Sequence, residues 1–212
     1  MPATHADVLT LKAAIEKHCL SLHETPVLLN SGGYSNYYLD LKGVALHPRY
    51  ARIIGQLMTP AIIESGAEAI GGLAAGCIPI ADAVAFAAFD DGVVLPTFFG
   101  RAEAKTHGLP TQALLRQAAA EDEGPLVRPG RRVAIVEDAV TQGGAAMQAT
   151  EFALAEGCEV VLVMCVVERH EGGGARFRER GIAFKRLFYT HEDGSLHVDE
   201  EVAARVGATA NQ

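Results

Sequence analysis

The sequence predicts an α/β fold in which helices cover both faces of a mainly parallel sheet. Four apolar runs lack the polar alternation of a half-exposed strand and are typical of strands buried on both faces. They are 68–73, 93–99, 131–138 and 159–169. Segments of helical character, 80–89 and 145–157, follow the first and third runs. Strands that alternate with helices form parallel sheets, which is the basis of the prediction.

The N-terminal part adds a helix, a strand pair and a second helix. Residues 8–22 carry apolar side chains at helical spacing on one face. Residues 25–43 read as two strand segments around a Gly-Gly turn, and 47–66 as a helix that ends at Gly66. No internal repeat or linker-like stretch interrupts the 212 residues, so we expect a single domain.

Composition excludes several classes of protein. The net charge of −8 argues against a broad binding surface for nucleic acid or anionic lipid. No apolar run approaches the roughly 20 residues that cross a bilayer, and the N-terminus lacks the pattern of a signal peptide. The four cysteines form no CxxC pair, which favours buried thiols in a reducing compartment over a zinc site. We therefore expect a cytoplasmic protein that binds neither nucleic acid nor membrane.

The segment VAIVEDAVTQGGAA (133–146) carries the strongest chemical signal. A buried strand ends in the acid pair Glu137-Asp138, and a Gly-containing turn then leads into a helix. Such a turn presents backbone N–H groups to an anion, and the helix dipole adds to the attraction. The adjacent carboxylates can accept hydrogen bonds from vicinal hydroxyls, so the pattern suits a sugar phosphate. The alternative is a helix-capping turn with two solvated acids.

Three further segments lie at predicted strand ends or in loops. The loop 100–112 gathers Arg101, Lys105 and His107, which suits a leaving group that develops negative charge, or else is a solvated surface loop. Arg169 ends a buried strand and can bind a carboxylate bidentately, or form an internal salt bridge with Glu168 or Glu171. The turn 72–77 suits an anion or a plain strand-to-helix connection.

Two tyrosines and the remaining histidines complete the candidates. Tyr37 and Tyr38 are adjacent on a strand and point to opposite faces, so one can line a binding pocket while either can be a core or interface aromatic. The other histidines show no metal-ligand spacing and are interpreted as surface or structural residues. They are His5, His18, His23, His47, His170, His191 and His197.

The acid-pair segment resembles the phosphoribosyl diphosphate (PRPP) motif of type I phosphoribosyltransferases. Three other segments narrow the resemblance to the orotate phosphoribosyltransferase family: LLNSGGYSNYYLDLKG, GRAEAKTHG and VVERHEGG. They match, in order, that family's N-terminal SG-x-x-S-x-Y-Y-x-D-x-K segment, its catalytic loop and its base-site segment. The resemblance covers roughly residues 20–190.

The resemblance implies transfer of the phosphoribosyl group from PRPP to orotate, giving orotidine 5′-monophosphate and pyrophosphate in pyrimidine biosynthesis. It implies a core of roughly 47–170 and a small hood from roughly 1–45 plus a C-terminal part. It also implies Mg²⁺ held through PRPP rather than directly by the protein, and a homodimer that shares loop 100–112 across its interface.

The same resemblance assigns roles to individual residues. The implied catalytic residues are Lys105, His107 and Asp138. PRPP binding is implied for Arg101, Lys105, His107, Glu137, Asp138, Ala139, Val140, Thr141, Gln142, Gly143, Gly144 and Ala145. Orotate binding is implied for Thr141, Arg169, Tyr37 and Tyr38.

The chain departs from the family pattern at Ala102, where lysine is usual, and at Asn30 and Gly76, where many and some relatives, respectively, carry lysine. At Glu168 aspartate is more usual, and the charge is kept. Ala102 removes one cation from the catalytic loop. Two other functions therefore stay open: a phosphoribosyltransferase that has diverged to another base, and a PRPP-binding regulator that has lost catalysis.

Overall fold

The computed structural model describes residues 2–28, 34–101, 115–117 and 125–207. Within them, one seven-stranded sheet has the order β5-β4-β3-β6-β7-β8-β9. Its strands are β3 (Ala69–Leu73), β4 (Thr97–Gly100), β5 (Leu115–Gln117), β6 (Arg132–Val140), β7 (Glu159–Glu168), β8 (Phe184–Thr190) and β9 (Leu196–Val198). The five central strands pair in parallel, and only the two edge strands are antiparallel. The α/β prediction is confirmed.

A separate two-stranded antiparallel sheet precedes the main sheet. It consists of β1 (Leu20–Leu28) and β2 (Tyr34–Leu39), with an irregularity in the pairing between Leu22 and Val27. Burial alternates strictly along β2, so Tyr37 is buried and Tyr38 is 40% exposed. The predicted opposite orientation of these tyrosines is confirmed, because successive side chains of a strand point to opposite faces.

Seven helices are described, and they flank the sheet. They are α1 (His5–His18), α2 (Lys42–Ala45), α3 (Pro48–Glu64), α4 (Cys77–Asp90), α5 (Gly144–Ala155), α6 (Ala175–Arg178) and α7 (Glu200–Arg205). Helix α1 begins earlier than predicted because Thr4 and Asp7 form a reciprocal capping box. It also ends earlier, since residues 20–22 belong to β1 and not to the helix.

Two hydrophobic clusters lie on opposite faces of the sheet. Strand β6 contributes to both, because Ala134 and Val136 pack in one cluster while Val133 and Ile135 pack in the other. This explains why residues 133–136 of this strand are continuously apolar. All four cysteines are buried free thiols, as predicted. Among the described residues, no helix is long and apolar enough to cross a membrane.

The predicted starts of one strand and one further helix need correction, and the C-terminal elements were not predicted. The run 93–99 forms a strand only from Thr97, because Pro96 has no N–H to donate to a ladder and contributes only its carbonyl, which accepts from the Ile70 N–H at 3.1 Å. Helix α4 begins at Cys77 rather than at residue 80. Beyond residue 169 the patterning predicted no element, whereas α6, β8, β9 and α7 occupy that stretch. The division into hood and core stays a prediction.

Candidate active site

The carboxyl ends of β3 and β6 bring the first turn against the acid pair. A Cβ atom built at Gly76 would lie 2.8 Å from Glu137 Oε1 and 2.9 Å from Asp138 Oδ1. Both distances are shorter than real Cβ contacts, so the backbone at this position lies directly on the two carboxylates. The turn also contains a cis peptide bond between Ala74 and Ala75. A side chain at position 76 would therefore have to displace the ends of these two carboxylate side chains.

The two carboxylates differ sharply in environment. Glu137 is only 5% exposed, while Asp138 is half-buried. Glu137 Oε1 accepts from the Asp138 N–H at 3.1 Å, and Asp138 Oδ1 accepts from the Ala139 N–H at 2.7 Å. Burial, and then the negative charge of Asp138, raise the pKa of Glu137 well above its ordinary value. The alternative of two solvated acids is wrong for Glu137.

The turn after β6 has the geometry of an anion site. Gly143 adopts a left-handed conformation (φ 80°) at the start of α5, a conformation that glycine accepts without strain. No side chain of the described residues caps this helix. Its first N–H groups and the positive end of its dipole are thus available to a negatively charged ligand.

The base-site segment VVERHEGG and the residues that follow it pack against the backbone of this turn. The Gly173 N–H donates to the Thr141 carbonyl at 2.9 Å, and Arg176 donates to the Gln142 carbonyl at 2.8 Å. A Cβ built at Gly173 would lie 2.4 Å from the Thr141 carbonyl oxygen and 2.6 Å from the Gly143 nitrogen. The two segments that sequence analysis selected separately are therefore packed backbone against backbone.

Arg169 lies at the end of β7 and is only 3% exposed. Its Nη2 donates to Ser35 Oγ at 3.0 Å and lies 3.3 Å from Glu171 Oε1. Its Cζ is 4.1 Å from the centroid of the Tyr37 ring, a cation–π contact. Its Nε is buried without a hydrogen-bond partner among the described residues.

These contacts decide between the predicted ion-pair partners of Arg169. The internal salt bridge is formed with Glu171 and not with Glu168. Glu168 instead accepts from the Gly174 N–H at 2.8 Å and from Arg186 at 2.5 Å. Glu168 is therefore paired with Arg186 and not with Arg169.

The structure brings only part of the predicted site together. Tyr37 joins the Arg169 cluster, whereas Tyr38 points to the other face of β2 and does not. Arg101 is half-buried, with its Cζ 6.0 Å from the centroid of the Phe99 ring. Lys105, His107 and the two departures Ala102 and Asn30 lie outside the described residues.

Sequence analysis gave no role to several residues of this region. Lys42 donates to Asp40 Oδ1 at 3.0 Å, and that bond, with further contributions from Asp40 and Asp138, raises the pKa of Lys42. Its charge in turn acts on Glu137, so an ammonium group lies within electrostatic reach of the acid pair. The only signal was its place in the quoted segment LLNSGGYSNYYLDLKG.

His170 and Thr190 were also missed, and both bind the Tyr37 hydroxyl. His170 was interpreted as a surface or structural histidine, but its Nδ1 lies 2.8 Å from that oxygen. Thr190 Oγ1 lies 2.7 Å from it. They are 133 and 153 residues from Tyr37, so no local pattern could have linked them.

Comparison with known proteins agrees with the motifs. No family model matches the chain. The chain is 37% identical over 191 residues to the orotate phosphoribosyltransferase of Rhodopirellula baltica, covering 87% of this chain and 93% of that protein. It is 38% identical over 183 residues to the orotate phosphoribosyltransferase of Aquifex aeolicus, covering 86% and 94%.

Solved structures show the same relationship. Mycobacterium tuberculosis orotate phosphoribosyltransferase in complex with Fe(III) dicitrate superposes with a TM-score of 0.71 at 30% identity, over 89% of this chain and 99% of that one. The complex of the same enzyme with PRPP gives a TM-score of 0.69 at 27% identity, over 89% and 99%. The resemblance in the four sequence segments is thus confirmed, and the chain belongs to the orotate phosphoribosyltransferase family.

Proposed function

We propose that this protein transfers the phosphoribosyl group of PRPP to orotate, producing orotidine 5′-monophosphate and pyrophosphate in pyrimidine biosynthesis. The observation that carries the proposal is the convergence at one sheet edge of a carboxylate pair, an uncapped helix N-terminus and a buried arginine. These three groups match a ribose, a phosphate and a carboxylate. The family relationship supports the same substrates.

PRPP occupies the end of β6 in this proposal. The N–H groups of 141–145 bind the 5′-phosphate, and Glu137 and Asp138 accept from the ribose hydroxyls. Asp138 is the more accessible carboxylate and therefore the one proposed to be catalytic. Arg101, Lys105 and His107 stabilise the departing pyrophosphate, whose charge grows as its bond to C1′ breaks in a dissociative displacement.

Orotate occupies the region between Arg169 and Thr141. The Nε–H of Arg169 has no protein partner among the described residues, which supports a carboxylate ligand there. Tyr37 supports the guanidinium with its ring. Tyr38 is also proposed to contact orotate. Because its side chain lies on the exposed face of β2, opposite to Tyr37, this proposed contact is made by its backbone atoms.

We propose that Mg²⁺ is held through PRPP beside the acid pair at the end of β6, rather than directly by the protein. Carboxylate oxygens are the ligands this cation prefers, and Glu137 and Asp138 lie beside the turn 72–77. Among the described residues, no group of three histidines, cysteines or acids could hold a metal ion. In the proposed complex the ion is carried by PRPP, where it would neutralise charge on phosphate and ribose oxygens.

We further propose a homodimer in the cytoplasm, with loop 100–112 of one subunit completing the site of the other. Three large apolar side chains support an interface near α2–α4, since Leu46, Phe86 and Phe89 are each at least 67% exposed. Four buried free thiols suit a reducing compartment.

The test is loss of orotate absorbance when the purified protein is mixed with orotate, PRPP and Mg²⁺. Lys105→Ala should lower turnover by about 10²-fold, since loop cations act on charge that develops in the transition state. Lys17→Ala, which changes an exposed lysine of α1, is the matched control and should leave turnover unchanged.

Two results would contradict the proposal. Turnover of PRPP with another base, but not with orotate, would indicate a diverged transferase. PRPP binding in calorimetry without turnover of any base would indicate a regulator.

A further inference from the structure

The hydroxyl group of Tyr37 joins three parts of the fold. Tyr37 is fully buried on β2, and its Oη lies 2.7 Å from Thr190 Oγ1 and 2.8 Å from His170 Nδ1. Thr190 ends β8, and His170 follows the end of β7. Burial raises the pKa of Tyr37, so the group is a neutral phenol that donates one hydrogen bond and accepts another.

The ring of the same tyrosine carries the guanidinium of Arg169. Ser35 and Tyr37 are two residues apart and lie on the same buried face of β2. One contributes a hydroxyl acceptor at 3.0 Å, the other an aromatic face at 4.1 Å. The N-terminal hairpin therefore sets the orientation of an arginine that lies more than 130 residues away in the sequence.

The polar end of Tyr37 is not needed for packing. Phenylalanine would fill the same space beneath Arg169 and would leave no buried hydroxyl to satisfy. A buried phenol with two side-chain partners holds its ring at a defined position, because a shift of the ring would break one or both of its hydrogen bonds. Gly194 also packs closely against the Tyr37 ring, since a Cβ atom at this position would lie 3.0 Å from Tyr37 Cγ.

We propose that His170 and Thr190 are positioning residues for the orotate site, acting through the Tyr37 hydroxyl on Arg169. They hold the aromatic ring, and the ring, Ser35 and Glu171 hold the guanidinium so that its Nε–H is left for the substrate carboxylate. This inference rests on the proposed binding of orotate by Arg169. It assigns to the hydroxyl a role in affinity for the base and none in affinity for PRPP.

The first test is Tyr37→Phe, which keeps the ring and removes only the hydroxyl. We expect the KM for orotate to rise about tenfold, as for loss of one or two buried hydrogen bonds. The KM for PRPP and kcat should stay within about twofold, because neither the acid pair nor the turn 141–145, here called the phosphate turn, contacts this hydroxyl in the described structure. Tyr34→Phe is the matched control, since Tyr34 is on the same strand but 75% exposed.

Two further pairs of variants separate hydrogen bonding from packing. Thr190→Val removes the hydroxyl at nearly constant volume and should raise the KM for orotate, whereas Thr190→Ser should retain the wild-type value. His170→Ala should raise it, and His170→Asn, which keeps a polar atom near the Nδ1 position, should restore most of it. Tyr37→Phe combined with Thr190→Val should be no worse than Tyr37→Phe alone, because both remove the same bond.

The inference is overturned if Tyr37→Phe and Thr190→Val leave the KM for orotate unchanged. It is equally overturned if the KM values for both substrates rise together with a fall in Tm, because that pattern indicates a purely structural role. Arg169→Lys distinguishes this failure from failure of the proposed function. If Arg169→Lys impairs orotate binding and the tyrosine variant does not, only the positioning role is wrong; if neither does, Arg169 is not the orotate ligand.

Discussion

Replacing Gly173 by alanine tests whether the base-site segment sets the position of the phosphate turn. The new Cβ would lie 2.4 Å from the Thr141 carbonyl oxygen and 2.6 Å from the Gly143 nitrogen. Ordinary van der Waals contact begins at 3.4 Å, so the two backbones have to separate by about 1 Å. Both atoms belong to backbone, so no flexible side chain can move aside to absorb the clash.

The expected magnitude follows from that displacement. Forcing an extra methyl group into a tightly packed contact costs about 1–3 kcal/mol of stability. A shift of about 1 Å in groups that position a substrate can lower the rate by about 10²-fold. We therefore expect Gly173→Ala to lower kcat/KM for PRPP by one to two orders of magnitude, as about 1 Å of misplacement implies, together with a clear fall in Tm.

The assay compares initial rates at varied PRPP with thermal unfolding of the same samples. Gly181→Ala is the control, since Gly181 has φ 72° and no atom within 4 Å of its Cβ position. That variant should lose about 1 kcal/mol through backbone strain alone and keep its PRPP kinetics. Equal kinetic effects of the two variants, or wild-type PRPP kinetics in Gly173→Ala, would refute the reasoning.

Three other predictions concern the acid pair and the core. The raised pKa of Glu137 means that its neutral form stabilises the fold below the ordinary value of 4.5, and that this contribution is lost as pH rises through the raised pKa. Wild-type Tm should thus fall more steeply than that of Glu137→Gln as pH rises above 4.5, which thermal scans would measure; parallel curves would contradict it. Gly76→Ala should raise the KM for PRPP with little change in Tm, because its Cβ displaces only the flexible ends of Glu137 and Asp138. Steady-state kinetics at varied PRPP measure this KM, and an unchanged value would contradict the prediction. Phe188→Ala, at a fully buried position in β8, should lower the free energy of unfolding by about 3–5 kcal/mol in urea titration, and a loss below about 1 kcal/mol would show that the site repacks.

Local chemistry made much of the fold, and the place of the acid pair and the Gly-containing turn within it, predictable from sequence. Continuous apolar runs became four of the five central strands, β3, β4, β6 and β7, because a strand covered on both faces has few positions for a polar side chain. The acid pair and the Gly-containing turn are contiguous, so their spacing along the chain already specifies their spacing in the site. Element ends were less predictable where one residue decides them, as Pro96 does for β4.

The C-terminal strands escaped prediction for a different reason. Strand β8 has the sequence FKRLFYT, which mixes charged and apolar residues without a clear period. Its charges are neutralised by distant partners, as when Arg186 pairs with Glu168 and Asp199. Pairing with β7 and β9 therefore decides its structure more than its own pattern does.

The sequence alone determined most of the alternation of strands and helices up to residue 169, the turn that follows β6 and the acid pair beside it. Only the tertiary structure decided that Glu137 is buried while Asp138 is accessible, and that Arg169 pairs with Glu171 and stacks on Tyr37. It also placed Thr190 and His170 on the Tyr37 hydroxyl. The physical reason is that burial, pKa and ion pairing depend on groups brought together through space, whereas turns and strand patterns depend on neighbours along the chain.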